Sequence, residues 1–196
     1  MNIGAWASGF FARSYKTEAA NTPITQGIDA VDGKRLCMVA GGYLPAATAH
    51  LLQFMYAEGT GSRNTAAAEC AVGDHHITCT DAPKDPGGAA AAASDIVAYQ
   101  CSDGTWEWNY LDGIVGSILT LHTNTVKLVA IGAKVMIFGV AADLKSFNVN
   151  TVASTERTFV EGQIMAKYMG EPLYFYSPNA TNAGFLQYLL FAYIDK

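Results

Sequence analysis

Between residues 94 and 140 the chain repeats one pattern, a short run of β-forming residues followed by a compact turn signal. Residues 94–101 lead into Ser102-Asp103-Gly104, after which Thr105-Trp106-Glu107-Trp108-Asn109-Tyr110 alternates strictly between polar and aromatic side chains. Successive side chains of a strand point to opposite faces, so this alternation predicts a strand with one aromatic face. The intervening turn makes the pair a β-hairpin. Asp112-Gly113 reads as the next turn, and 114–122, 125–131 and 134–140 follow as three strands separated by Thr123-Asn124 and Gly132-Ala133. Short strands at this regular spacing are the signature of an antiparallel meander.

The flanking segments agree with that class. Residues 35–40 are strand-like before Gly41, Gly42 and Pro45 punctuate the chain. Residues 49–57 are apolar at nearly every position, and Gly59 and Gly61 end the run early enough to favour a strand over a helix. Residues 64–71, with three consecutive alanines, suit one or two helical turns, and 75–80 a short strand. The stretch 81–88 holds two prolines and two glycines and reads as a loop. Further on, 154–168 has loosely helical spacing opposed by β-branched residues, whereas 173–176 and 185–194 are strongly β-forming. Residues 1–34 carry Trp6, Phe10, Phe11 and Tyr15 without a sustained period. They read as an extended N-terminal arm whose aromatic side chains dock either on the chain's own core or on a neighbouring subunit. The expectation is a mainly β protein of about nine or ten strands, an antiparallel β-sandwich or barrel in one domain over 35–196, with the arm over 1–34.

The 196 residues include 12 Lys and Arg and 17 Asp and Glu, so charged side chains are 15% of the chain, against about 25% in ordinary soluble domains. A folded chain of this mass exposes roughly 9,000 Å². So few charges leave much of that area to Thr, Asn, Ser and Gly, or to the cover of neighbouring copies. The net charge of −5 opposes a nucleic-acid partner, because affinity for phosphate comes from clustered Lys and Arg. The longest apolar run, 128–142, contains Lys134 and is shorter than the roughly 20 residues that cross a bilayer, so no membrane segment is expected. The first six residues lack the basic and apolar regions of a secretory signal.

Candidate chemistry is sparse. Cys70, His75, His76 and Cys79 offer the donor types zinc prefers, but their spacing is not that of a paired-ligand site. Adjacent histidines on a strand are also expected to diverge. The four cysteines, Cys37, Cys70, Cys79 and Cys101, read as buried free thiols, with a Cys70–Cys79 bridge left open. No serine-nucleophile elbow, cysteine-protease signature or glycine-rich phosphate loop occurs. Glu107, with Asp103 or Asp112 as partner, is the one pairing that would suit glycoside hydrolysis. Against it, Trp106, Trp108 and Tyr110 share a face that suits the core, which places Glu107 in solvent; alternatively that face is an exposed platform for a sugar or receptor. No catalytic residue, cofactor or metal is assigned, and the chain is expected not to be an enzyme.

The aromatic-bearing arm, the β-domain rich in Ala, Gly, Thr and Asn, the sparse charge and the run Phe185-Leu186-Gln187-Tyr188-Leu189-Leu190-Phe191 together resemble tailed-bacteriophage virion proteins. Among these the build is most similar to small capsid decoration, or cement, proteins. The resemblance covers the whole chain and rests on build rather than on a motif. It implies a symmetric oligomer, often a trimer, bound to the major capsid protein or another virion protein on the outer surface of the particle. Trp6, Phe10, Phe11, Tyr15, Trp106 and Trp108 are the side chains expected to meet partners.

Overall fold

The structure, a computed structural model, describes residues 7–16, 24–43, 51–139, 146–150, 157–160, 166–177 and 186–194. These residues hold no helix. Their strands are β1 (Ala7–Lys16), β2 (Ile24–Ile28), β3 (Arg35–Tyr43), β4 (Leu51–Met55), β5 (Arg63–Thr65), β6 (His76–Thr78) and β7 (Ile96–Gln100). They continue with β8 (Trp106–Val115), β9 (Ile118–Leu121), β10 (Lys134–Phe138), β11 (Ser146–Asn150), β12 (Arg157–Val160), β13 (Leu173–Ser177) and β14 (Leu186–Ile194). The strands pair antiparallel. The chain is mainly β, as its pattern predicts, with more strands than the nine or ten expected.

The strands fall into two compact units, one continuous over Met55–Lys145 and one that joins Met1–Phe54 to Ser146–Lys196. The discontinuous unit holds two four-stranded sheets, of order β1-β14-β3-β12 and β11-β4-β13-β2. Residues 7–16 and 24–28, within the segment expected as an arm, are strands of these sheets: β1 runs along β14 from Ala7↔Ile194 to Lys16↔Leu186, and β2 runs along β13. Within 154–168, where helical spacing competes with β-branching, residues 157–160 are a strand against β3 and 161–165 lie outside the described residues. Ile28, Leu36, Leu173 and Phe175 are buried in this unit.

The continuous unit is one six-stranded sheet of order β5-β10-β7-β8-β9-β6. It curls until its edges meet: just beyond β5 and β6, Ala66 and Cys79 form an antiparallel bridge. Ala67 N donates to Thr78 O at 2.7 Å and Thr80 N to Thr65 O at 2.9 Å. Joining the two edges satisfies backbone groups that an open sheet would leave to solvent. Every second residue points into the enclosed space, as in small barrels filled by side chains. Val135 and Ile137 come from β10, Val97 and Tyr99 from β7, Leu111 from β8, Leu119 and Leu121 from β9 and Ile77 from β6, with Cys70, Cys79, Cys101 and Val129 filling the ends.

Two buried asparagines extend the ladder where the backbone stops pairing. Asn64 Oδ1 accepts from Thr65 N (2.9 Å) and Asp81 N (3.1 Å), while its Nδ2 donates to Asp81 O (3.0 Å) and Gly61 O (3.3 Å). Asn109 repeats the device: Oδ1 accepts from Tyr110 N (3.0 Å) and Thr123 N (3.2 Å), and Nδ2 donates to Thr123 O (2.7 Å). A primary amide presents the same donor and acceptor as a peptide group, so each side chain stands in for one more residue of strand.

The turns are partly as predicted. The β7–β8 hairpin forms at Ser102-Asp103-Gly104, where Gly104 takes φ +82° and its N–H reaches Cys101 O at 2.9 Å. Asp112-Gly113, expected as a turn, is instead an irregularity inside β8: the register with β9 shifts between Leu111 and Gly113, leaving Asp112 as the extra residue of a bulge. The reversal falls at Gly116-Ser117. Residues 125–131, expected as a strand, make only the Cys70↔Val129 bridge, and 64–71 form no helical turn because Asn64 to Ala67 are used at the closure.

Asn64→Leu removes four hydrogen bonds made by a buried side chain at the seam and leaves the Asp81 amide and carbonyl without their partner. It is expected to cost about 2–4 kcal/mol in urea denaturation, whereas a Glu69→Gln change at an exposed position is expected to stay within about 0.5 kcal/mol. A second expectation concerns pH. Asp95 is buried and, among the described residues, its side chain accepts only the Ala92 N–H at 2.8 Å, and burial raises its carboxyl above the ordinary 3.8. The folded chain therefore favours the protonated form, and stability present below pH 3.8 is lost as pH rises through the raised value. In urea midpoints measured across that window, Asp95→Asn should abolish this decline.

Candidate functional site

The residues with chemical potential lie along β8 and the 122–127 segment beside it, from the Asp103–Lys127 pair to the Asp112–His122 pair. Register decides which way β8 faces. Leu111 lies in the core, and Glu107 is opposite Tyr99, itself a core residue. The inward positions of β8 are therefore Glu107, Asn109 and Leu111, and the aromatic face is the outer one. The expectation that Glu107 meets solvent while the aromatics enter this core is corrected: in a strand with two amphipathic faces, the choice was made by Val97 and Tyr99 across the hairpin.

Glu107 is held accordingly. Its Oε2 accepts from Tyr99 Oη at 3.0 Å and from Val126 N at 3.1 Å. The two carboxylates that could pair with it are engaged elsewhere. Asp103 accepts from Lys127 Nζ (2.8 Å) and from Thr105 Oγ1 (2.6 Å) and N (3.0 Å), which together hold its carboxyl far below the ordinary range. Asp112, on the bulge, faces His122 Nδ1 at 2.9 Å. Glu107 is thus an internal hydrogen-bond acceptor that ties β7, β8 and the 122–127 segment together.

The thiols are equally committed. All four cysteines are free and buried, so Cys70 and Cys79 are not bridged. Burial pushes Cys79 up to about 12, with Asp81 adding to the effect. Burial also pushes Cys101 up to about 12, reinforced by the neighbouring Glu107 carboxylate. A thiol at 12 is ionised in only about one molecule in ten thousand at pH 8, and the thiolate is the nucleophile and metal ligand. Cys70 and Cys79 lie in the core whereas His75 and His76 are exposed, so the four candidate zinc donors do not converge.

The outer face of β8 separates its aromatic residues. Trp106 is 7% exposed, Trp108 stacks on Phe138 with ring centroids 5.5 Å apart, and Tyr110, 44% exposed, stacks on His122 at 4.1 Å. A three-ring platform for sugar is therefore reduced to Tyr110. Phe10, Phe11 and Tyr15 lie on β1 opposite Ala192, Phe191 and Gln187, and Trp6 is outside the described residues. Among the described residues, no helix is long and apolar enough to cross a membrane.

Sequence reasoning missed Asn109 as a structural acceptor and Tyr110–His122–Asp112 as a surface cluster. The first had a usable signal, a lone amide among aromatic residues on a strand. The second needed the bulge at Asp112, which brings that carboxylate to His122. No family model, curated protein or solved structure matches this chain.

In the folded protein the four thiols are expected to resist a thiol-specific aromatic disulfide reagent at pH 8, and all four should react within seconds once the chain is unfolded in guanidinium. Counting the released chromophore measures this.

Proposed function

We propose that this chain is a non-enzymatic building block that associates with copies of itself and with a larger shell, in the manner of a tailed-phage capsid decoration protein at the particle surface. The observation that carries the reading is the aliphatic area left in water on the continuous unit: Val72, Val115, Val126 and Ile131 are 62, 75, 74 and 70% exposed. They are grouped. Val115 sits opposite the exposed Ile118 at the tip of the β8–β9 hairpin, and Val72 and Val126 flank the Gly73 N to Thr125 O hydrogen bond of 2.9 Å.

Single exposed valines are ordinary in soluble proteins. Here they occur in a chain with only 29 charged side chains (12 plus 17), which has few groups to rim such patches. Covering one of these side chains in an interface is worth roughly 1.5–3 kcal/mol, and a symmetric assembly repeats the gain at every copy. The engagement of Glu107 Oε2 by Tyr99 and Val126 and the burial of the thiols support the non-enzymatic side of the reading. The capsid setting and the trimer come from the resemblance in build.

Mass in solution, followed over a dilution series by light scattering, tests it. The expected outcome is an oligomer that dissociates on dilution, with Val115→Asp and Val126→Asp shifted toward monomer at tenfold or higher concentrations than the parent chain. A parent chain that stays monomeric at high concentration, with a mass indifferent to both substitutions, overturns the proposal.

A further inference from the structure

Just before β6, Asp74, His75 and His76 present one carboxylate oxygen and two imidazole nitrogens that all lie within 4.8 Å of one another. We infer that this triplet is a surface site for a divalent transition-metal ion, with zinc as its first occupant and water at the remaining positions.

Adjacent histidines on a regular strand would diverge. Here His75 precedes the strand and the two rings sit 3.9 Å apart, tilted by 42°, on the same side as Asp74. The backbone beneath them is fixed at each residue. Asp74 O accepts from Thr125 N (2.7 Å) and Thr125 Oγ1 (3.1 Å), Asp74 N donates to Ala71 O (3.1 Å), and His75 O accepts from Leu121 N (2.7 Å). The Asp74 carboxylate is itself oriented, because its Oδ1 accepts from His75 N at 2.7 Å and His76 N at 3.2 Å, and lies 3.5 Å from His76 Nδ1.

Two imidazoles and a carboxylate are donor types that zinc accepts, usually in tetrahedral coordination. Bonds of about 2.1 Å place ligand atoms about 3.4 Å apart around a tetrahedral ion. Rotation of exposed side chains over a rigid backbone closes the difference from the observed spacing. The three groups are exposed, so the ion enters from solvent without any rearrangement of the core. The buried Cys70 and Cys79 take no part, which separates this site from the Cys/His combination considered from spacing alone.

Isothermal titration of the full chain with zinc chloride is the test, paired with imidazole nitrogen shifts read by NMR. The expected result is one saturable equivalent per chain with the His75 and His76 resonances moving together. His75→Asn/His76→Asn should weaken binding by roughly tenfold or more. His122→Asn, which removes the imidazole paired with Asp112, should leave binding unchanged. The inference is overturned by no saturable binding, by equal binding to the parent and the double variant, or by loss of binding in His122→Asn.

Discussion

Closure of the continuous unit depends on one junction, where the two outermost strands of a six-stranded sheet find each other. The Ala66↔Cys79 bridge and its two flanking hydrogen bonds are few, and the side chain of Asn64 adds two more to the backbone of Asp81. Everything inside depends on that junction, because an open sheet would present Ile77, Leu119, Val97 and Ile137 to water on one face. Gly61 marks how close the chain runs here. It adopts φ +95°, and a Cβ at this position would strike the carbonyl oxygen of Ala82. The positive φ and the close approach each select glycine.

The same economy of polar groups shapes the interior of the barrel. Glu107 is accommodated because Tyr99 Oη and Val126 N solvate it, and Asn109 because it completes a ladder. Polar groups inside a small barrel must be satisfied by the barrel itself: Asn109 is, and Glu107 is through Oε2, whereas its buried Oε1 has no hydrogen-bond partner among the described residues. Reactive potential is displaced to the rim, where His75, His76, His122, Asp74 and Asp112 face solvent.

The local features were legible in the residues, and the non-local ones were not. The β7–β8 hairpin was readable because turn chemistry and alternation act within a dozen residues. Alternation gave β8 its two faces but not their direction, since Trp106 and Trp108 look more core-like than Glu107 and Asn109. The deciding contacts are with Tyr99 and Val97 on the paired strand. Asp112-Gly113 carries the same dipeptide signal whether it turns the chain or bulges it, and only the register with β9 separates the two. The pairing of β1 with β14 joins residues some 180 positions apart, and no short-range pattern reports on it.

That last pairing, set beside the continuous span of Met55–Lys145, fixes an order of events during synthesis. The barrel has all its strands once residue 138 is available, whereas the sheet that contains β3 waits for residues 186–194. Contacts so distant along the chain close slowly, and a domain complete in itself folds as a unit while the ribosome is still at work. The inserted barrel thus has its strands first, and the edge of β3 that faces β14 stays unpaired until the final strand arrives, while β12 reaches its other edge earlier.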